Sequence, residues 1–261
     1  GALTDRQSVK DVVSGNLCRC TGYGPIVDAG LDLAALPLPD TKAADAEVAA
    51  QLKTLRGTET FRYEAGGRLW LSPGNVDDLA DLYAEYPDAT LVAGATDVGL
   101  WVTKQHRDFP VMIDVSRVED LRHIEEGPRS LFFGAGVTHR EARKRLADIH
   151  PDLDEVMRRF AGYQIRNTGT IGGNIANGSP IGDLPPVLIA LGAKLFLRRG
   201  DDMRIVPLED FFIAYGKQDR APGEFVAAVE VPLLEEGQHF AAYKISKRLD
   251  SDISAVLAAF W

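Results

Sequence analysis

Two cysteines, Cys18 and Cys20, are separated by one residue, and the chain contains no others. Thiolates bind soft metals, and two this close on a loop can reach a single iron atom. Gly22 and Gly24 follow, so the backbone can pass close to a cluster and offer N–H groups to sulfide. The spacing lies outside the commoner zinc patterns, and two free thiols are the plain alternative. A 2Fe–2S cluster takes four ligands, so the missing pair would have to come from outside these residues. The second candidate is Leu91-Val92-Ala93-Gly94-Ala95-Thr96-Asp97-Val98. An apolar strand ends at a glycine and a helix begins near Asp97, a turn whose outward N–H groups favour an anion. An ordinary strand–turn–helix connection reads the same way. The third is Arg166 to Asp183, with glycines at 169, 172, 173, 178 and 182 among small hydrogen-bonding side chains. Ile171, Ile175 and Ile181 are spaced as though anchored in a core. An ordered loop offering backbone N–H groups, Thr170 and Ser179 to a phosphate or pyrophosphate fits best, against an irregular structural loop.

Other site types are absent. Gly134-Ala135-Gly136 lacks the third glycine of a dinucleotide fingerprint, and there is no Walker A sequence or zinc-ligand spacing. The five histidines (106, 123, 139, 150 and 239) are scattered and read as surface or capping residues. Asp97, Asp183 and Asp252 read as turn or cap carboxylates, Phe160 as a core aromatic, and Lys244 as a lysine snorkelling at a strand edge.

These residues must be held by elements, and the pattern supplies them. Over 261 residues, 45% apolar and 26% charged, the composition is that of a globular chain with a sizeable core. The net charge of −9 argues against nucleic acid or an anionic membrane as partner. Gly1 in place of Met, and Trp261 inside an apolar run, suggest part of a longer polypeptide. Residues 4–17 read as a helix with Thr4 and Gln7 in capping-box spacing, and Pro25 as the first residue of a second helix to about Leu36. A partly helical linker follows, over 36–59. From Thr60 onward a hairpin turns at Gly66-Gly67, and short strands mix with helices opened by Asn75, Thr138 and Pro151. Strands are read near 90–93, 109–115, 131–136, 193–198, 225–231, 240–246 and 253–260. With no regular βα alternation, the class is α+β.

Gly15-Asn16-Leu17-Cys18-Arg19-Cys20-Thr21-Gly22-Tyr23-Gly24-Pro25-Ile26 resembles the second cysteine pair of the helical 2Fe–2S domain of molybdenum hydroxylases. Thr170-Ile171-Gly172-Gly173-Asn174-Ile175, with Ser179-Pro180-Ile181-Gly182-Asp183, resembles the FAD loop of the same superfamily. In this order they resemble the small iron–sulfur/FAD subunits of bacterial xanthine dehydrogenases. The resemblance implies the C-terminal part of a helical 2Fe–2S domain at 1–35, a linker at 36–59, and a vanillyl-alcohol-oxidase-type FAD domain at 60–261 without its C-terminal subdomain. It implies that Leu91, Val92, Ala93, Gly94, Ala95, Thr96, Asp97 and Val98 cradle the FAD pyrophosphate, and that Thr170, Gly173, Asn174, Ala176 and Asn177 line the second loop. Asn177 stands where some relatives carry Thr. Asp183 would hold the adenosine ribose, Lys244 would lie near the isoalloxazine, Phe160 would face the flavin, and Phe160 and Asp252 would border an NAD site. Cys18 and Cys20 would ligate the cluster nearer molybdenum. The implied activity is electron relay from purine oxidation through 2Fe–2S clusters to FAD and on to NAD⁺. It requires a large subunit carrying the molybdenum cofactor, in a cytoplasmic heterotetramer of two small and two large subunits. The same relay for an aldehyde or another N-heterocycle, or a non-catalytic assembly or nucleotide-binding module, are the alternatives.

Overall fold

The computed structural model describes residues 3, 5–37, 40–55 and 57–261. Three helices come first: α1 (Arg6–Val13), α2 (Tyr23–Ala34) and α3 (Lys42–Leu55). Thr4 lies outside the described residues, and the box that opens α1 is made by Asp5 and Ser8, with Ser8 N donating to Asp5 at 2.7 Å. α2 begins two residues before Pro25, which still falls in the first turn, where its missing N–H costs nothing. α1 and α2 pack where Gly30 meets Val9: a Cβ on Gly30 would lie 2.5 Å from a Val9 methyl. α3 buries no residue.

The next lobe holds β1 (Phe61–Ala65), β2 (Arg68–Ser72), α4 (Val76–Glu85), β3 (Thr90–Val92), α5 (Val98–Thr103) and β4 (Val111–Asp114). The hairpin turns at Gly66 and Gly67, whose φ values of +57° and +75° are what a two-residue primed turn demands. β2, β4 and β3 are parallel, in the order β1-β2-β4-β3, with α4 and α5 as crossovers. The absence of βα alternation expected from the sequence therefore fails locally. Leu69, Leu71, Ile113, Leu79 and Tyr83 form this lobe's core.

The larger lobe holds β5 (Ile124–Glu126), β6 (Ser130–Gly134), α6 (His139–Leu146), α7 (Pro151–Arg159), α8 (Tyr163–Thr168), α9 (Ile171–Asn177) and α10 (Leu184–Ala190). Then come β7 (Lys194–Arg199), β8 (Asp202–Pro207), α11 (Leu208–Phe211), β9 (Phe212–Ala214), β10 (Lys217–Gln218), β11 (Phe225–Pro232), β12 (Ala241–Ser246) and β13 (Ser254–Phe260). β5-β6-β11-β7-β8 form an antiparallel sheet. Alternate residues such as Leu195 and Leu197 face a core completed by Val156, Met157, Ile171, Ile175 and Leu188 of the helices. The α+β class holds. The glycine-rich stretch expected to be a loop is in large part helix α9, because Thr170 caps it and Ile171 and Ile175 bury against β6 and β11.

Candidate functional site

A cavity of about 550 Å³ opens between the lobes. Seven of the eight residues from Leu91 to Val98 border it; Val92 turns into the protein and is buried. Two backbone features shape this turn. Ala95 has φ +56°, the left-handed region rarely taken by a side-chain-bearing residue. Gly94 passes so close to the other lobe that a Cβ would lie 1.9 Å from the Thr168 carbonyl oxygen. That contact joins the two segments singled out in the sequence. Asp97 stands at the start of α5 without a cap hydrogen bond, and burial raises its carboxyl above the ordinary range.

Across the cavity, Thr170, Gly173, Asn174, Ala176 and Asn177 line the wall. Gly173 N donates to Thr170 Oγ1 at 3.0 Å, which fixes the first turn of α9. Asn174 Oδ1 is buried and, among the described residues, has no hydrogen-bond partner. A buried acceptor without a donor is costly, so this atom marks a place for a ligand that donates a hydrogen bond.

Asp183 is buried at the start of α10. One carboxylate oxygen pairs with Lys244 Nζ, and the other accepts from Ser254 Oγ at 2.6 Å. Lys244 also donates to the Asp252 carbonyl oxygen at 3.0 Å. Lys244 is thus a buried ion-pair partner behind the cavity wall, not a snorkelling edge lysine. The two side chains expected at the adenosine ribose and at the isoalloxazine are therefore bonded to each other. The pair is linked to Phe160: Ser251, beside Asp252, donates to the Ala161 carbonyl at 3.2 Å, and Arg159 donates to the Lys244 carbonyl at 2.8 Å. The Asp252 carboxylate borders the same end and accepts from Arg248 N at 2.8 Å, which holds its carboxyl below the ordinary range.

Phe160 lines the cavity and packs on His139, ring centroids 4.7 Å apart. His139 is neither exposed nor a cap. It is the first residue of α6, is 2% exposed, and its Nδ1 has no hydrogen-bond partner among the described residues. Burial, aided by the nearby Arg166 guanidinium, pushes its imidazole down to about 4. The Thr138–Glu141 capping box marks in the sequence where α6 starts, and no local signal marks His139 as facing inward. At the far end the cavity is apolar, walled by Leu79, Tyr83, Leu121 and Phe225. Arg220 borders that end, bonded to Tyr83 Oη and the Glu224 carbonyl, both at 2.9 Å. Nothing in its sequence neighbourhood marks it.

Cys18 and Cys20 lie outside the cavity, on the loop between α1 and α2. The Cys18 sulfur accepts from Gly22 N at 3.2 Å, and amides of Cys20, Gly22 and Thr21 lower its thiol pKa. Among the described residues, no group of three or more His, Cys, Asp or Glu could hold a metal. Nor, among the described residues, is any helix long and apolar enough to cross a membrane.

Comparison with known proteins accords with this geometry. The xanthine dehydrogenase/oxidase of Felis catus is 31% identical over 300 residues, 96% of this chain and 22% of that protein. The xanthine dehydrogenase of Calliphora vicina is 30% identical over 310 residues, 97% of this chain and 23% of that protein. This chain therefore spans less than a quarter of these relatives, which it matches at 22% and 23% of their length. Among solved structures, carbon monoxide dehydrogenase from Oligotropha carboxidovorans superposes with a TM-score of 0.67 at 28% identity, over 72% of this chain and 66% of that one. Quinoline 2-oxidoreductase from Pseudomonas putida 86 gives 0.67 at 26%, over 72% and 66%. Residues 59–234, which include every cavity residue of both lobes up to Val226, match the family described as the FAD binding domain in molybdopterin dehydrogenase. The chain belongs to that family.

Proposed function

We propose that this chain holds FAD in the inter-lobe cavity and serves as the electron-transfer segment of a molybdenum hydroxylase. Electrons from purine oxidation would arrive through 2Fe–2S clusters and leave to NAD⁺. The observation that carries the reading is that the buried, unpartnered Asn174 Oδ1 and the tightly packed turn at Gly94 belong to residues on the wall of one cavity. The residues present fit FAD. Amides of the 94–98 turn and the N-terminus of α9 suit a pyrophosphate, and the apolar end at Tyr83 and Phe225 suits an adenine. FAD, when bound, supplies the exchange between one-electron and two-electron carriers.

The chain's own residues would do the rest. Thr170, Gly173, Asn174 and Asn177 hold the cofactor against the turn from Leu91 to Val98. Phe160 would cap the flavin end, where Asp183 and Lys244 form a fixed charge pair that braces the cavity wall from behind. The bonds that tie Lys244 and the 251–252 turn to the Phe160 turn support reading Asp183 at the flavin end, in place of the adenosine ribose that the resemblance implies for it. Phe160 and Asp252 would border the nicotinamide. Cys18 and Cys20 would contribute half of a four-ligand 2Fe–2S set, in residues 1–35 ahead of the 36–59 linker and the FAD domain. The molybdenum cofactor would reside in a partner subunit, in a complex of two copies of each.

The likeness to quinoline and carbon monoxide enzymes supports a second reading, the same relay serving another substrate. Turnover of the complete enzyme with a panel of purines, aldehydes and N-heterocycles, alongside NADH-dependent ferricyanide reduction, separates the readings. Ferricyanide reduction with no purine turnover moves the substrate elsewhere; its absence in a flavin-loaded enzyme removes NAD⁺ from the account.

A further inference from the structure

Arg166 is 4% exposed, yet among the described residues its guanidinium bonds to carbonyls and a hydroxyl and to no carboxylate. It is spent on carbonyls. Nη1 donates to the carbonyls of Arg158 at 2.9 Å, Phe160 at 2.8 Å and Ala161 at 2.6 Å. Nη2 reaches the other way, to Ser14 Oγ at 3.1 Å and toward the Asp11 carbonyl at 3.5 Å. The turn it holds carries Phe160 and Ala161, both on the cavity wall, and Ala161 sits at φ +50°. The segment it reaches is the end of α1, four residues before Cys18.

Three further contacts seat that segment on the same turn. Tyr163 N donates to the Ser14 carbonyl at 3.2 Å, and Gln164 Nε2 to Asn16 Oδ1 at 3.3 Å. Gly15 and Gly162 touch backbone to backbone: a Cβ on Gly162 would lie 2.8 Å from the Gly15 Cα. A strained residue persists where its surroundings over-determine it. Here one guanidinium binds the strained turn on one side and the cysteine-bearing segment on the other.

We propose that Arg166 is a positioning residue that couples docking of the cysteine-bearing segment to the setting of Phe160 in the cofactor cavity. The inference rests on the FAD reading above. Its test uses the complete holoenzyme with Arg166→Met, Arg166→Lys and Ser14→Ala. The readouts are FAD retention on gel filtration, the circular dichroism of the flavin band, and amide exchange across residues 158–164. Arg166→Met is expected to weaken FAD retention about tenfold or more, the worth of one charged hydrogen bond, and to reshape the flavin band. Arg166→Lys should recover part of both. Ser14→Ala, which removes a hydroxyl bonded to Arg166 and to the Asp11 carbonyl, should raise exchange at 160–162 and shift the flavin band in the same direction. Should Arg166→Met fail to fold, the Lys and Ser14→Ala variants carry the comparison. A wild-type flavin band and wild-type exchange in Arg166→Lys and Ser14→Ala would overturn the coupling. Wild-type enzyme that binds no FAD would instead overturn the FAD reading, and the exchange data would then still report whether segment and turn are coupled.

Discussion

Removing the Asp183 carboxylate should strand a buried ammonium. The Asp183 and Lys244 side chains are 5% and 2% exposed, and Lys244 has the Asp252 carbonyl as its remaining acceptor. Breaking a buried ion pair from one side costs about 3–5 kcal/mol, most of it the uncompensated charge. For a domain of this size that is a fall in melting temperature of roughly 6–20 °C. Asp183→Ala should melt in this lower range and lose FAD, because the flavin end of the cavity loses its fixed charge pair and the tie to Ser254. Lys244→Met added to Asp183→Ala should regain most of the lost stability, since an apolar pair of similar volume has no charge to strand. FAD retention should stay low in the double variant. The assay is thermal unfolding of the four proteins of the cycle, with flavin content read on each. A single-variant change below about 1 kcal/mol, the scale of an exposed pair, would refute the reasoning. So would a double variant less stable than either single one.

Three other outcomes are expected. Gly94→Ala, whose new methyl would strike the Thr168 carbonyl, should cost about 1–3 kcal/mol or more and abolish FAD binding by parting the two loops; urea unfolding with flavin titration checks both. Asn174→Leu removes the unpartnered acceptor, so the flavin-free protein should keep or gain stability while FAD binds at least about tenfold more weakly; equal FAD affinity in wild type and variant would count against the cavity assignment. His139 stays neutral in the fold down to about pH 4, while the unfolded chain protonates near 6.5, so stability should fall as pH drops from 6.5 to 4. The window of about 2.5 units corresponds to about 3 kcal/mol, and His139→Leu should flatten the slope of stability against pH there; an unchanged slope would show that other groups set it.

Local chemistry made much of this legible in sequence. Asn75, Thr138 and Pro151 mark helix starts because caps and first-turn prolines act within a few residues. The turn at Gly94 and the segment at Thr170–Asn177 stand out in sequence as candidate ligand-facing backbone, and the structure puts both on one cavity wall; Ile171 and Ile175 are anchored in the core as their spacing suggests, whereas Ile181 is exposed. What the sequence hides depends on distant partners. α9 is a helix despite two glycines and two asparagines because the sheet buries Ile171 and Ile175. β8 pairs with β7 at the edge of the large sheet, and its charged, half-exposed composition carries no strand pattern. The Lys244–Asp183 pair spans 61 positions, so neither residue reveals it alone. Arg166 looks like one more surface arginine until α1 and the Phe160 turn are brought to it.

The central claim, that the inter-lobe cavity holds FAD, is tested most directly by the visible absorption spectrum of the purified protein with acid release of its flavin. The account predicts flavin bands and one FAD per chain in the wild type, with the bands lost in Gly94→Ala. A colourless wild-type protein that takes up no added FAD would contradict it.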